Sequence, residues 1–408
     1  MTSTTTPPPR TGATPTAAGR REHFPLFTVI VLAFTGFLSL TTELLPAGLL
    51  TQIGPDLNVT VGVAGLMTSA YALGNVITVI PLTRVAIRLP RRTALVLIVL
   101  LFVISNLAVV FAPNITLAVI GRFVGGAAHG LIWALLPAVV QRLGGTRYVG
   151  RAMTIVFTAN SLALALGAPL SSLLGNSLGW RMAFLVAAAV ALVIAIILAA
   201  VVPHMHSENA EHVPLHRAAM LPGAMRVCIA WALVMLGHFA MLTYIAPYLE
   251  RLGVGDGIVS VSLFVLGAAG IVGVWIGGRV GQHSLIAGLI GSPVLIAVAF
   301  IALLVAPSSI PIIVVILVVW GMGFSGTVLL YQQAVLATGR RAPETVTSIS
   351  VVLSQLGIAL GATAGGIGVE VFGVRWLPLI GLIFAAVALL FLPGLGRILR
   401  GETRTTSA

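Results

Sequence analysis

Between Phe34 and Leu50 the chain reads FTGFLSLTTELLPAGLL, an apolar run with one carboxylate, Glu43, inside it. An acid in hydrocarbon is expensive and is kept where it handles ions, protons or substrates. Thr35, Ser39, Thr42, Glu43 and Pro46 fall on one face at helical spacing, a polar stripe suited to a water-filled cavity. Glu43 is therefore a candidate for taking up and releasing protons, the alternative being a neutral, hydrogen-bonded structural acid. Arg122 is the one base inside such a run, and its face continues through Gly126, His129, Trp133 and Pro137. A guanidinium there can bias the ionisation of a nearby acid or bind backbone carbonyls between helices. His129 and His238 sit in mid-run beside glycines, and histidine titrates near neutrality. Glu43, Arg122, His129 and His238 are thus the candidate proton-coupling residues.

A second group is apolar with polar tips. Trp320, Phe324 and Tyr331 share one helical face, Met241, Tyr244 and Tyr248 another, and Trp133 adds to them. Such stripes pack cores, or they wall a cavity for a moderately lipophilic ligand. Asn160, Gln332 and Gln355 offer amides to orient that ligand, as do Asn75 and Gln333.

Other chemistries fail on composition. All 22 basic residues are arginine, so a phosphate-binding P-loop, which needs lysine, is excluded. Cys228 is alone, so no intramolecular disulfide exists. His204, His206, His212 and His216 are loosely spaced with no cysteine nearby, and a solvated linker explains them better than metal. No cluster of nucleophile, acid and metal ligands suggests an enzyme, and no cofactor is implied.

These side chains need elements to hold them, and composition names the kind. The chain has 408 residues, 58% hydrophobic and 8% charged, with a mean hydropathy of +1.11. A soluble chain carries about 25% charged residues. This one meets lipid over most of its surface. Apolar runs near the length that crosses a bilayer, about 20 residues, fall at 26–50, 61–83, 94–112, 115–140, 149–172, 181–203, 226–250, 258–279, 284–305, 311–337, 345–369 and 375–396. The expected fold is all-α: twelve transmembrane helices in two pseudo-symmetric six-helix bundles, 23–203 and 225–396. A linker, 204–224, joins them. A Thr- and Pro-rich tail, 1–22, reads as disordered, and a short tail, 397–408, follows the last span.

With both termini placed in the cytoplasm, 18 of the 22 arginines fall in cytoplasmic segments and helix ends, against Arg181, Arg251 and Arg375 outside. This asymmetry, rather than nucleic-acid binding, accounts for the net charge of +12. The halves also resemble each other. Ser161–Arg181 (SLALALGAPLSSLLGNSLGWR) aligns without gaps on Gln355–Arg375 (QLGIALGATAGGIGVEVFGVR), and both end in Gly-x-Arg. Such repeats place a binding site near the midplane, between the halves.

Three stretches carry a family resemblance: TTELLPAGLLTQIGPDL (41–57), GRFVGGAAHGLIWALLPAVVQRL (121–143) and GHFAMLTYIAPYL (237–249). Together with the twelve spans, they resemble the drug and sugar efflux branch of the major facilitator superfamily. Departures exist. PLTRVAIRLPRRTAL (81–95) keeps Arg88, Arg91 and Arg92 but lacks the branch's acid, and LGAPLSS (166–172) has serines where a glycine pair is usual. The resemblance implies a monomeric, proton-coupled exporter of a small organic molecule in a bacterial inner membrane, working by alternating access. Drug-like cargo such as a phenicol comes first. Sugars or nucleosides, or a proton-independent facilitator, are the alternatives.

Overall fold

The computed structural model describes residues 24–86, 88–203, 217, 219–305, 308–339 and 343–399. The four linker histidines fall outside these residues, as do both tails but for the stretch up to Leu399.

The described chain is helical throughout. In the first half, α1 is Leu26–Leu44, α2 Leu50–Asp56, α3 Val61–Ala64, α4 Leu66–Ala86, α5 Arg91–Val110, α6 Ile115–Leu178 and α7 Trp180–Val201. In the second, α8 is Ala224–Leu242, α9 Ile245–Arg251, α10 Asp256–His283, α11 Leu285–Leu304, α12 Ile310–Thr338, α13 Pro343–Phe372, α14 Leu377–Leu389 and α15 Leu395–Leu399. Their outer faces carry Phe34, Ile77, Ile104, Ile196, Trp275 and Val315, all exposed, as lipid contact requires.

Two expected helices, 115–140 and 149–172, emerge as one run of 64 residues. A straight helix would hold Arg122 and Gly167 about 68 Å apart. Yet Arg122 donates to the Thr42 carbonyl at 2.7 Å, and Gly167 packs on Thr41 and Leu44. Both therefore touch the same turn of α1, so the run folds back on itself. The reversal lies beside Phe24, whose ring meets both Tyr148 and Arg151. α6 thus has two antiparallel arms, and each crosses the membrane. Among the described residues, ten helices are long and apolar enough to span; the second arm of α6 and the shorter Val374–Leu389 complete twelve.

The first span departs from the expected 26–50 for a local reason. Pro46 has no N–H, so the helix tightens to a 3-10 turn at Leu45–Gly48 and α2 starts afresh at Leu50. The seventh span breaks likewise: α8 stops at Leu242, and α9, with Pro247 inside it, follows. Between α10 and α11 the break is capped, the Ser284 hydroxyl accepting from Ala287 N–H. The aligned Gly-x-Arg pairs adopt one conformation: Gly179 has φ of 89° and Gly373 of 84°, left-handed values that glycine reaches without a Cβ penalty.

The halves meet on one face. Ser69 pairs with Thr363 at 2.9 Å and Ser172 with Ser260 at 2.8 Å, while Gly62 N–H donates to Glu370 at 3.2 Å. Tyr244 donates to the carbonyls of Gly62 (3.2 Å) and Ala362 (2.9 Å), one in each half. These contacts lie toward the starts of α4 and α10, the ends of α6 and α13 and the break between α8 and α9, opposite the chain termini. On that face the two halves are closed.

Candidate functional site

Glu43 occupies the last turn of α1, just before the break. There the break leaves carbonyls unserved: the donor that would reach the Thr42 oxygen belongs to Pro46, which has none. Arg122, on the first arm of α6, supplies it. Its Nη1 donates to Thr42 O at 2.7 Å, Nη2 to Glu43 O at 3.0 Å and Nε to Met67 O at 3.3 Å. The guanidinium also lies over the Tyr71 ring at 4.2 Å. Arg122 is fully buried and clamps the end of α1 to the start of α4. Of the two roles open to it from sequence, carbonyl binding is the one the geometry displays.

The carboxyl of Glu43 points elsewhere. A helical side chain leans toward the N-terminus of its helix, which carries the group back into the protein. Oε2 lies 3.9 Å from His129 Nε2, and Oε1 accepts from Gln355 Nε2 at 3.3 Å. His129 Nδ1 pairs with the Ser39 hydroxyl at 2.9 Å. The Ser39 carbonyl accepts from the Tyr71 hydroxyl at 3.0 Å. Glu43, His129, Ser39, Tyr71 and Arg122 thus form one buried polar group within the first half, and Gln355 joins it from α13 of the second. Burial of an acid among hydrogen-bonding partners matches what low dielectric demands of polar groups. The arrangement allows an ionised carboxylate, acceptor only, or a neutral acid able to donate.

The other candidates do not converge on Glu43. His238 accepts from the Trp320 indole at 3.1 Å and stacks on Phe324 with centroids 3.4 Å apart, a cluster inside the second half. Tyr331 stacks on Trp231 at 5.6 Å, with its hydroxyl buried and unpartnered. Tyr248 donates to Leu303 O at 2.6 Å, and Met241 is fully buried. Gln332 is exposed on α12 and makes no described contact with Glu43. Trp133 is half-buried, its ring 6.4 Å from that of His129. Asn160 lies on the second arm of α6, its side chain outside the described residues. Tyr244 sits at the seam between halves rather than in either wall.

Sequence reasoning missed Tyr71 and Trp231. A lone aromatic in an apolar run carries no signal of the cation or ring it will face. Glu370, one residue beyond the expected eleventh span, was visible only as an acid at a helix end.

The sequence model described as Major Facilitator Superfamily matches residues 32–362. A chloramphenicol efflux pump of Mycobacterium tuberculosis is 30% identical over 349 residues, 83% of this chain and 84% of that one. The purine ribonucleoside efflux pump NepI of Salmonella paratyphi B is 31% identical over 349 residues, 85% and 88% of the two. Among solved structures, an inward-facing bacterial homologue of the human lysosomal transporter Spinster superposes with a TM-score of 0.78 at 15% identity, over 96% of this chain and all of that one. A D-xylose–proton symporter superposes with a TM-score of 0.73 at 17% identity, covering 93% and 99%. At these identities the likeness to the solved structures is one of fold.

Proposed function

The chain belongs to the Major Facilitator Superfamily, and from that premise we propose that it exports a small organic molecule in exchange for protons, with Glu43 as the proton carrier. The observation that carries this reading is the place of Glu43. It is buried in the membrane, held by Arg122 through the backbone and by His129 and Gln355 through its carboxyl. An intramembrane acid at the seam of two halves is where a proton and a cargo can exclude each other.

Both termini lie in the cytoplasm in this reading, supported by the arginine asymmetry. The closed face is then the outer one, and the cargo site faces inward. Residues 23–203 and 225–396 rock as two bundles about the 204–224 linker, in a monomer of a bacterial inner membrane. A phenicol-like drug is the first cargo, supported by the mycobacterial relative. A purine ribonucleoside is the second, supported by the Salmonella relative and by the polar character of the Glu43–Gln355 neighbourhood. Trp133, half-buried and beside His129, is the aromatic contact assigned to it.

The test uses proteoliposomes and counterflow of labelled chloramphenicol and labelled inosine, with and without a pH gradient. Glu43→Gln keeps the size and can still hydrogen-bond, but it cannot release a proton. It should fold, exchange cargo without a gradient, and fail to accumulate it against one. Uphill transport by Glu43→Gln with unchanged pH dependence would leave Glu43 a structural acid.

A further inference from the structure

Glu43 belongs to the first half, and the side chain that donates to it belongs to the second. Gln355 Nε2 and Glu43 Oε1 are 3.3 Å apart and both residues are buried. The other bonds described across the seam join hydroxyls and backbone groups, or reach Glu370 at the rim. This one ends on the carboxyl that neighbours Arg122 and His129. The second amide atom, Gln355 Oε1, is buried with no partner, so the described hold on this amide is its bond to Glu43.

The strength of that bond depends on the state of the carboxyl. A hydrogen bond to an ionised acceptor is about twice as strong as one to a neutral acceptor. The titratable or charged groups that pack around Glu43 are His129, with Nε2 at 3.9 Å, Arg122, engaged with carbonyls, and Tyr71, engaged with Ser39. All three come from the first half, so their hold on Glu43 does not change when the halves move apart. The bond to Gln355 does.

We propose that Gln355 is a positioning residue that ties ionised Glu43 to the second half and so keeps the empty, proton-free carrier closed on the face opposite the termini. The inference rests on the reading of Glu43 as proton carrier. An exchanger wastes its gradient when the empty form changes sides. Here the empty form carries the strong tie. A proton on Glu43 weakens it, and a cargo that hydrogen-bonds to Glu43 or Gln355 replaces it. The two loaded forms are released, and the empty one is held.

The test is a distance across the closed face. α2 and α9 meet there, and Asn58, just after α2, and Arg251, at the end of α9, are exposed. Spin labels at Asn58→Cys and Arg251→Cys, in a Cys228→Ala background, report the open fraction without cargo. For the otherwise unaltered protein, the open-to-closed ratio should fall roughly tenfold from acid to alkaline pH. Gln355→Met should stay open to the same extent at every pH. In proteoliposomes it should leak protons without cargo while still exchanging labelled cargo. Gln355→Asn, an amide one carbon shorter, should behave the same way and serves if the methionine variant does not fold. Normal pH-dependent closure in either variant overturns the inference, as does its absence from the unaltered protein. Neither result touches the role of Glu43, which stands or falls on uphill transport by Glu43→Gln.

Discussion

Arg122 is the side chain on which the candidate site is built, because it replaces the donor that Pro46 lacks. Removing it leaves the Thr42 and Glu43 carbonyls buried and unserved, at about 1–3 kcal/mol each. Arg122→Met should therefore melt well below the unaltered protein in detergent. Arg122→Lys should fall between, since an ammonium cannot span three carbonyls as the planar fork does. An Arg122→Met protein with unchanged melting would show that the clamp contributes nothing. Sequence identified Glu43, Arg122 and His129 as residues of interest but could not choose between Arg122's two roles. That choice depends on Pro46, which lies in another helix. Gln355 was visible as an amide that could orient a ligand, and its partner Glu43 was not. Glu43 lies 312 residues earlier, and no local pattern links them.

At the scale of elements, short-range chemistry was the legible part. The spans matched the apolar runs to within a few residues in most cases, because bilayer thickness dictates their length. The differences arose where one residue overrides the run: Pro46 in the first span, Thr243 and Tyr244 between α8 and α9, and the turn beside Phe24 within α6. None of these breaks changes hydropathy enough to be read from it. The broken ends have a use. α9 starts at the residue after Tyr244, and the break aims that hydroxyl at carbonyls of both halves. Tyr244→Phe removes one donor proton shared between two carbonyls, a hydrogen bond worth about 0.5–1.5 kcal/mol. The open fraction in the Asn58–Arg251 distance measurement should rise several-fold or more. Gly65→Ala should act in the same direction, since a Cβ there runs into the Tyr244 hydroxyl. An unchanged distance distribution in Tyr244→Phe would mean that the hydroxyl adds nothing to closure.

For the whole molecule, the two-fold plan was readable from the Gly-x-Arg pair, and the matching left-handed glycines bear it out. Which face is closed was not readable, because closure is a relation between halves that one sequence serves in either state. The tail of residues 1–22 has no long apolar segment, so its deletion should leave folded yield and exchange unchanged; loss of folded protein on size-exclusion chromatography would contradict this. The clamp at Arg122 also has an electrical side. Its guanidinium keeps its charge, so with His129 neutral the buried group carries zero net charge when Glu43 is ionised and one positive charge when Glu43 is protonated. In the proposed exchange of a neutral cargo for a proton, membrane voltage then acts on the proton-returning step and not on the export step. One proton entering down 100 mV and one pH unit releases about 2.3 plus 1.4, or roughly 3.7 kcal/mol. That supports a cargo gradient of about 500-fold. A cell that loses its voltage but keeps its pH gradient would retain only about a tenfold part of it, although every contact in the site is unchanged.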